Sequence, residues 1–154
     1  MIKFLVMDVD GTLTDGKIYV SPSGEAMKAF NIKDGCGIHD ILIPAGITPV
    51  IITGRTSEIV MNRCKELGIT EVYQGVRDKI GKLKEITDDL KAVAYIGDDI
   101  NDLSCMKPIK DAGGIVGCPA DAVNSVQDMA DYVAPHNGGD GAVRDFIEWL
   151  MDEM

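Results

Sequence analysis

Two carboxylates, Asp8 and Asp10, directly follow the apolar run of residues 2–7. An apolar run of this kind predicts a buried strand of a parallel sheet, and open α/β sheets bind their ligands at the carboxyl ends of such strands. Gly11 allows the chain to turn, so that both acids can face one ligand. Two carboxylates held together repel each other unless a cation or a shared proton stabilises them, and their oxygens suit Mg²⁺. The pair alone also fits an acidic turn that does no chemistry.

Two further apolar runs end in groups that could act on the same ligand. Thr53-Gly54-Arg55 follows the run 47–52, and the acidic segment Gly97-Asp98-Asp99-Ile100-Asn101-Asp102 follows the run 92–96. Lys79 lies near the start of a helix that is predicted between these two strands. Because the carboxyl ends of parallel strands meet at one edge of a sheet, we expect all of these groups to lie close together.

Such a cluster contains the groups that phosphoryl transfer requires. A carboxylate can act as the nucleophile, an acid pair can bind a cation, and a hydroxyl, an ammonium and the backbone amides of Gly11 and Gly54 can hold phosphate oxygens. Each residue also has a simpler interpretation, since Thr53, Asp99 or Asp102 could cap a helix and Lys79 could be solvated. Their occurrence together, each in register with a strand end, favours catalysis.

The spacing of apolar residues predicts strands and helices in alternation around this cluster. Further strands are predicted at residues 71–73, 112–116 and 132–134, and helices at 38–45, 59–67, 78–90 and 143–151. Segments 17–20 and 25–30 predict a β-hairpin with a loop longer than two residues. We call this hairpin, at about residues 15–31, the flap. The spans between the other predicted elements leave no room for a cap domain. We therefore predict one α/β domain over residues 1–154, with a doubly wound, mostly parallel, Rossmann-like sheet.

Composition excludes several classes of protein. A chain of 154 residues with 45% hydrophobic content can bury one substantial core. Its net charge of −10 argues against a nucleic acid or an anionic membrane as partner. Four widely spaced cysteines and two histidines suggest neither a disulfide framework nor a zinc site, so a reducing cytoplasm is expected. The first apolar run ends at Asp8 and is too short for a signal peptide or a membrane-spanning helix.

In four ordered motifs the chain resembles the haloacid dehalogenase-like phosphatase superfamily. The motifs are Asp-x-Asp-Gly-Thr at 8–12, Thr-Gly-Arg at 53–55, Lys79, and Gly-Asp-Asp-x-Asn-Asp at 97–102. The resemblance covers nearly the whole chain, and it implies the fold of that superfamily and a phosphoric monoester hydrolase.

The resemblance also implies a role for each motif residue. Asp8 would attack phosphorus to give an aspartyl-phosphate, and Asp10 would protonate the leaving alcohol and then activate water. Thr53 and Lys79 would hold the phosphoryl group. The cofactor Mg²⁺ would be bound by the side chains of Asp8 and Asp98 and by the backbone carbonyl of Asp10.

Within the superfamily, the capless layout, the flap and segments 31–35 and 138–144 resemble the 3-deoxy-D-manno-octulosonate 8-phosphate phosphatase branch. This implies a phosphorylated 2-keto-3-deoxy sugar acid as substrate, a place in sugar-acid and lipopolysaccharide biosynthesis, and a homotetramer in which the flap and the carboxyl-terminal segment approach a neighbour's site. The implied substrate contacts are Gly11, Asn31, Lys33, Asp34, Gly35, Gly54, Arg55, Arg63 and Asn101. Arginine suits such a substrate because its planar group binds two oxygens of a carboxylate or phosphate. Arg63 could instead be an ordinary residue of a helix surface.

Other functions stay open from sequence alone. His39 stands where the branch leads us to expect an arginine, which leaves nonulosonate 9-phosphates (KDN or N-acylneuraminate 9-phosphate) as alternative substrates; His39 could equally face solvent. Related domains also occur attached to cytidylyltransferases. From another class, a receiver-like phosphoacceptor module also combines aspartates, Mg²⁺, a threonine and a lysine, although its phosphorylated aspartate follows a later strand than its acid pair. A catalytically silent assembly subunit is a third possibility.

Overall fold

A six-stranded parallel sheet forms the centre of the computed structural model, which describes residues 1–154. Its strands are β1 (Phe4–Met7), β4 (Thr48–Ile52), β5 (Glu71–Tyr73), β6 (Val93–Ile96), β7 (Ile115–Cys118) and β8 (Tyr132–Val133). They lie in the order β5-β4-β1-β6-β7-β8, and every neighbouring pair is parallel. The chain runs outward from β1 to one edge and then returns to build the other half, so the direction of winding changes beside β1. In open α/β sheets the ligand crevice lies at this switch point.

Helices cover both faces of the sheet, which confirms the predicted doubly wound α/β fold. They are α1 (Ile32–Cys36), a π-helical turn (Gly37–Leu42), α2 (Glu58–Leu67), α3 (Lys79–Ile86), α4 (Leu103–Asp111), α5 (Asn124–Met129) and α6 (Ala142–Glu153), with short 3₁₀ turns at Leu90–Ala92 and Ile100–Asp102. One hydrophobic cluster, which includes Ile38, Cys64 and Phe146, fills the face under the π-helical turn, α2 and α6. A second cluster, which includes Leu83 and Met106, fills the face under α3, α4 and α5. None of these helices combines the length and the apolar composition that crossing a bilayer requires.

The predicted flap is present as a separate two-stranded antiparallel sheet of β2 (Tyr19–Ser21) and β3 (Gly24–Met27). Its loop has two residues between the paired Ser21 and Gly24, so the prediction of a longer loop was wrong. The Ser21 hydroxyl explains the shorter turn, because it donates to the Gly24 carbonyl and accepts from the Ser23 amide. No further domain covers the sheet, as expected for a capless fold.

Three other boundaries differ from the predicted ones for local reasons. The helix predicted at residues 38–45 begins earlier, at Ile32, because the Asn31 side chain caps it by accepting from the Lys33 amide. The helix predicted to reach residue 90 ends at Ile86, where Thr87 is extended and its hydroxyl accepts from the Asp89 amide.

The strand predicted at 112–116 begins only at Ile115. Gly113 has a φ of +91°, and a Cβ on Gly114 would lie 2.6 Å from the carbonyl oxygens of Leu90 and Val93. The segment 112–114 therefore forms a tight turn before the strand starts.

Candidate active site

The three polar strand ends meet at the switch point of the sheet. Asp8 follows β1, Thr53 follows β4 and Asp98 lies two residues beyond β6, and β1 is hydrogen-bonded to both of the other strands. Backbone hydrogen bonds continue the sheet past the strand ends, since the Asp8 amide donates to the Ile96 carbonyl at 3.2 Å. The groups that the sequence predicted to converge therefore share one edge of the sheet.

Lys79 joins this cluster from the first turn of α3. Asp78 caps that helix, and the Lys79 side chain points back under the sheet edge with only 2% of its surface exposed. Its ammonium lies 3.2 Å from Asp8 Oδ1 and 3.0 Å from Asp102 Oδ1. Burial alone would lower the pKa of Lys79, but the two carboxylates raise it, so the lysine carries its charge in this pocket.

Asp102 is a fully buried carboxylate that uses both oxygens to organise the site. Oδ1 accepts from Lys79 and, at 2.5 Å, from the hydroxyl of the buried Tyr95, while Oδ2 accepts from the backbone amides of Asp98 and Asp99. Four donors on one carboxylate stabilise its charge far from water. Asp102 thus fixes the ammonium of Lys79 and the loop that carries Asp98.

Asp98 and Asp8 are crowded acids. Burial first, and then the charges of Asp8 and Asp102, raise the pKa of Asp98 to about 8; burial and Asp102 raise the pKa of Asp8 to about 6 against the opposing effect of Lys79. The buried Thr12 hydroxyl lies 3.3 Å from Asp98 Oδ1 and donates to it. Gly11 has a φ of +87°, and a Cβ there would lie 2.0 Å from Asp98 Oδ2, so only glycine permits this approach.

The acid cluster fits a divalent cation. One oxygen from each of Asp8, Asp98 and Asp102 lies within 4.8 Å of the others. Hard oxygen donors suit Mg²⁺, and a cation would relieve the repulsion that opposes ionisation of Asp8 and Asp98. Because Asp102 already accepts four hydrogen bonds, Asp8 and Asp98 are the side chains with oxygens free for a metal.

An open cleft of about 260 Å³ lies in front of this cluster. It is lined by Asp8, Asp10, Gly16, Thr53, Gly54, Arg55, Asp98, Asp99 and Asn101, none of them hydrophobic. Of the residues predicted to hold metal, phosphoryl group or substrate, the cleft therefore contains Asp8, Asp10, Asp98, Thr53, Gly54, Arg55 and Asn101, with Gly11 and Lys79 directly behind it. Its polar walls suit a charged, hydrophilic ligand.

Five of the predicted substrate contacts lie elsewhere in the chain. Asn31 and Lys33 line a second cleft of about 270 Å³ with His136, Asp140, Gly141, Arg144 and Asp145. Arg63 packs over the Phe30 ring at 5.8 Å and against Gly35, where a Cβ would lie 2.5 Å from its guanidinium. Asp34 is buried. Within one chain none of these five faces the acid cluster, and their contact with substrate remains a prediction. His39 is exposed and pairs with Asp40 at 2.7 Å.

Asp34 instead holds the start of α6. Gly141, the N-cap residue of that helix, has no side chain to cap it, and Asp34 Oδ1 accepts from the Arg144 amide at 2.9 Å. Burial nevertheless raises the pKa of Asp34 to about 6, and its Oδ2 has no hydrogen-bond partner. This carboxylate ties α1 to the first turn of α6 at a cost in desolvation.

The desolvation of the Asp34 carboxylate predicts that the effect of Asp34→Asn on stability depends on pH. The pKa of Asp34 is about 6 in the folded protein, above its ordinary value of 3.8. The stability that protonated Asp34 contributes is therefore complete below pH 3.8 and is lost as the pH rises through about 6. The variant cannot ionise at this position. We therefore expect its free energy of unfolding, relative to that of the wild type, to rise by up to about 3 kcal/mol between about pH 4 and pH 7.5. Urea unfolding of both proteins across this range measures the gain, and a constant difference would contradict it.

Four residues in or beside the site were not predicted from the sequence, and one of them, Gly16, lines the cleft. Lys28 is paired with Asp10, Glu25 is paired with Lys28, and Tyr95 donates to Asp102. The position of Tyr95 inside a buried strand was a usable signal, because a buried tyrosine hydroxyl requires a partner. No periodicity marks Lys28 or Glu25, whose contacts depend on how the flap folds back.

Known proteins of one kind are similar to this chain over nearly its whole length. No model of a protein family matches it. The 3-deoxy-D-manno-octulosonate 8-phosphate phosphatase of Escherichia coli K12 is 41% identical, over 97% of this chain and 79% of that protein.

Two solved structures are similar in fold as well as sequence. The same enzyme from Moraxella catarrhalis, in complex with a magnesium ion, a phosphate ion and a KDO molecule, has a TM-score of 0.88 and 38% identity over 98% of this chain and 86% of that one. A putative hydrolase of haloacid dehalogenase superfamily subfamily III A from Legionella pneumophila has a TM-score of 0.86 and 36% identity over 98% and 82% of the two chains.

Proposed function

The chain belongs to the 3-deoxy-D-manno-octulosonate 8-phosphate phosphatase family of the haloacid dehalogenase-like superfamily, and we propose that it hydrolyses that sugar-acid phosphate with Mg²⁺ as cofactor. The observation that carries the proposal is the joint position of Asp8, Lys79 and Asp98 at the carboxyl ends of the central strands. A buried ammonium beside a carboxylate, next to an acid pair, suits a dianionic phosphate monoester.

In the proposed mechanism Asp8 is the nucleophile. A carboxylate oxygen of Asp8 attacks phosphorus as the bond from phosphorus to the ester oxygen breaks, and Asp10 gives its proton to that oxygen. Asp10 then takes a proton from water, whose oxygen attacks the aspartyl-phosphate and releases inorganic phosphate and free Asp8. Thr53 and the Gly54 amide bind phosphoryl oxygens from the end of β4, and Lys79 binds them from α3.

The side chains of Asp8 and Asp98 and the backbone carbonyl of Asp10 would hold Mg²⁺. When bound, the ion would offset the charges of phosphate and nucleophile so that the two anions can approach. Gly11 keeps Asp98 close to the Asp8 loop, and Thr12 and Asp102 orient the acids from behind.

Kinetics over a panel of phosphorylated sugars tests the substrate. We expect 3-deoxy-D-manno-octulosonate 8-phosphate to give the highest kcat/KM, ahead of nonulosonate 9-phosphates, with EDTA abolishing turnover and Mg²⁺ restoring it. Equal and weak turnover of every ester would contradict a sugar-acid substrate. A long-lived phosphoprotein without phosphate release would instead indicate a receiver-like phosphoacceptor.

We also propose that the protein is a homotetramer in which a neighbouring subunit covers the open cleft. Apolar side chains on and beside the flap support this, since Ile18, Val20, Met27 and Ile32 are between 51% and 81% exposed. An apolar surface of this kind marks an interaction site, and a second copy would exclude water from the cleft. Asn31 and Lys33, which lie outside the cleft of their own chain, would then be free to reach a neighbour's.

A charge on the flap should break the assembly. We expect Val20→Lys to convert the tetramer to smaller species and to lower kcat/KM for the sugar-acid phosphate by at least about 10-fold, because binding contacts from the neighbour are lost. Size-exclusion chromatography with light scattering measures the mass. Val133→Lys, which charges an exposed valine at the edge strand β8, is the matched control and should leave the mass unchanged. A monomeric wild type would contradict the proposal.

We place the protein in the cytoplasm, without nucleic acid or membrane among its partners. All four cysteines are unpaired and three of them are buried, which suits a reducing compartment. The net charge of −10 would oppose binding to polyanions.

A further inference from the structure

Lys28 has a covered side chain that pairs with two carboxylates beside the cleft. It follows β3 directly, and only 4% of its side chain is exposed. Its ammonium lies 2.6 Å from Asp10 Oδ1 and 2.9 Å from Glu25 Oε1. Glu25 Oε2 in turn accepts from the hydroxyl of Ser57, the N-cap of α2, at 2.6 Å. Three polar contacts thus run from the loop after β1, through the flap, to the helix after β4.

The position of Lys28 is unusual for a lysine. A lysine ammonium is seldom withdrawn from water unless it is paired, because losing its hydration is costly. Burial would lower the pKa of Lys28, and its two carboxylate partners raise it instead. The side chain of Lys79, which belongs to the phosphoryl site, is covered to a similar extent, but Lys79 is buried as a whole residue and Lys28 is only partly buried.

The ion pair determines which oxygen of Asp10 faces the cleft. Lys28 is the only hydrogen-bond donor to the Asp10 side chain, and it occupies Oδ1. Asp10 lines the cleft and is 26% exposed, so Oδ2 is left free to meet a ligand. An aspartate side chain on a glycine-containing loop would otherwise sample several rotamers.

We propose that Lys28 is a positioning residue that holds Asp10 in the rotamer required for proton transfer, and that Glu25 and Ser57 anchor Lys28 from the flap. This inference rests on the proposed function, in which Asp10 protonates the leaving oxygen and then takes a proton from water. The ammonium of Lys28 pairs with Asp10 and Glu25 and not with the nucleophile Asp8, and Lys28 does not line the cleft, so it acts only through Asp10. The flap therefore has a role in the chemistry of its own chain, besides any contact with a neighbour.

The leaving group provides the test. An alkyl ester needs a proton on the departing oxygen as the bond to phosphorus breaks, whereas p-nitrophenolate leaves without one. Single-turnover or burst kinetics isolate the transfer to Asp8 from the later hydrolysis. For Lys28→Met we expect this rate constant to fall at least about 10-fold with an alkyl ester and less than about 3-fold with p-nitrophenyl phosphate, since correctly placed acids contribute about 10²-fold or more. KM and the Kd of inorganic phosphate should stay near the wild-type values.

The alkyl ester is the sugar phosphate that the wild type hydrolyses fastest. A wrong sugar in the proposed function therefore leaves the test of Lys28 intact, whereas a wild type that hydrolyses no ester at all overturns both proposals. Equal losses with the two leaving groups in Lys28→Met would overturn the role of Lys28 alone.

A double-mutant cycle separates positioning from general damage to the fold. In an Asp10→Asn background, Lys28→Met should have no further effect on the alkyl ester, because the proton donor is already gone. Independent effects in the two backgrounds would overturn the proposal. Lys65→Met removes the same charge from an exposed position on α2 and should match the wild type. If Lys28→Met does not fold, Glu25→Gln is the second variant, because it weakens only the contact that anchors Lys28. We expect it to lower the rate constant more with the alkyl ester than with p-nitrophenyl phosphate, by a smaller factor than Lys28→Met.

Discussion

Asp8→Asn should lower kcat by at least about 10⁴-fold with every phosphate ester, because it removes the nucleophile of the reaction. An amide is a poor nucleophile toward phosphorus and cannot form the aspartyl-phosphate. Phosphate monoesters hydrolyse so slowly in water that no background rate can replace the enzyme. Steady-state release of phosphate, measured with p-nitrophenyl phosphate and with the sugar-acid phosphate, gives the loss.

The same change should leave the fold intact. Burial and the Asp102 charge both oppose ionisation of Asp8, so a neutral amide of the same shape is well tolerated and we expect the Tm to be no lower than that of the wild type. Asp88→Asn removes an equal charge from an exposed position and should be fully active. Retention of more than about 1% of wild-type kcat in Asp8→Asn would contradict the nucleophilic role.

The meeting of the polar residues at the strand ends was predictable from the sequence, because it depends only on where the buried strands end and on their parallel pairing. The apolar run 2–7, which only Lys3 interrupts, favours a strand buried on both faces, and parallel strands present their carboxyl ends together. The polar residues after β1, β4 and β6 therefore had to meet, and the structure brings Asp8, Thr53 and Asp98 to one cleft. The sequence also offers Thr56 or Ser57 as the N-cap of α2 and Gly68 as its end, and the structure has Ser57 and Gly68 in these positions.

What the sequence could not supply was the direction of side chains outside the regular strands. Lys28 follows the flap at a position with no periodic signal, and its burial depends on the flap folding over Asp10. Asp34 sits in a segment that resembled a substrate loop, yet it forms the first turn of α1 and caps a helix more than 100 residues away. The bounds of α4 and α5 were not predicted, and α4 contains Pro108, a residue type that is unfavourable inside a helix. Contacts of this kind depend on tertiary packing, which local spacing does not encode.

Lys79→Met should have the second large effect, on both activity and stability. The ammonium is the only cation in contact with Asp8 and Asp102, and it would bind the phosphoryl oxygens, so we expect kcat to fall by about 10³-fold or more. Its removal also leaves Asp102 buried without a counter-charge, which typically costs about 3–5 kcal/mol of folding free energy. Phosphate release and urea unfolding measure the two losses. Lys84→Met, at an exposed position of the same helix, is the control and should change neither.

A second substitution separates the two effects of Lys79. In the double variant Lys79→Met with Asp102→Asn, the buried charge is removed together with its partner, and the new side-chain amide can still accept from the loop amides and donate to the Tyr95 hydroxyl. We expect this protein to recover most of the stability that Lys79→Met loses, since deleting both members of a buried ion pair costs far less than deleting one. Activity should not recover, because no ammonium remains to hold the phosphoryl group. Recovery of kcat along with stability would mean that Lys79 serves only the fold, and the assignment of the phosphoryl site would then be wrong.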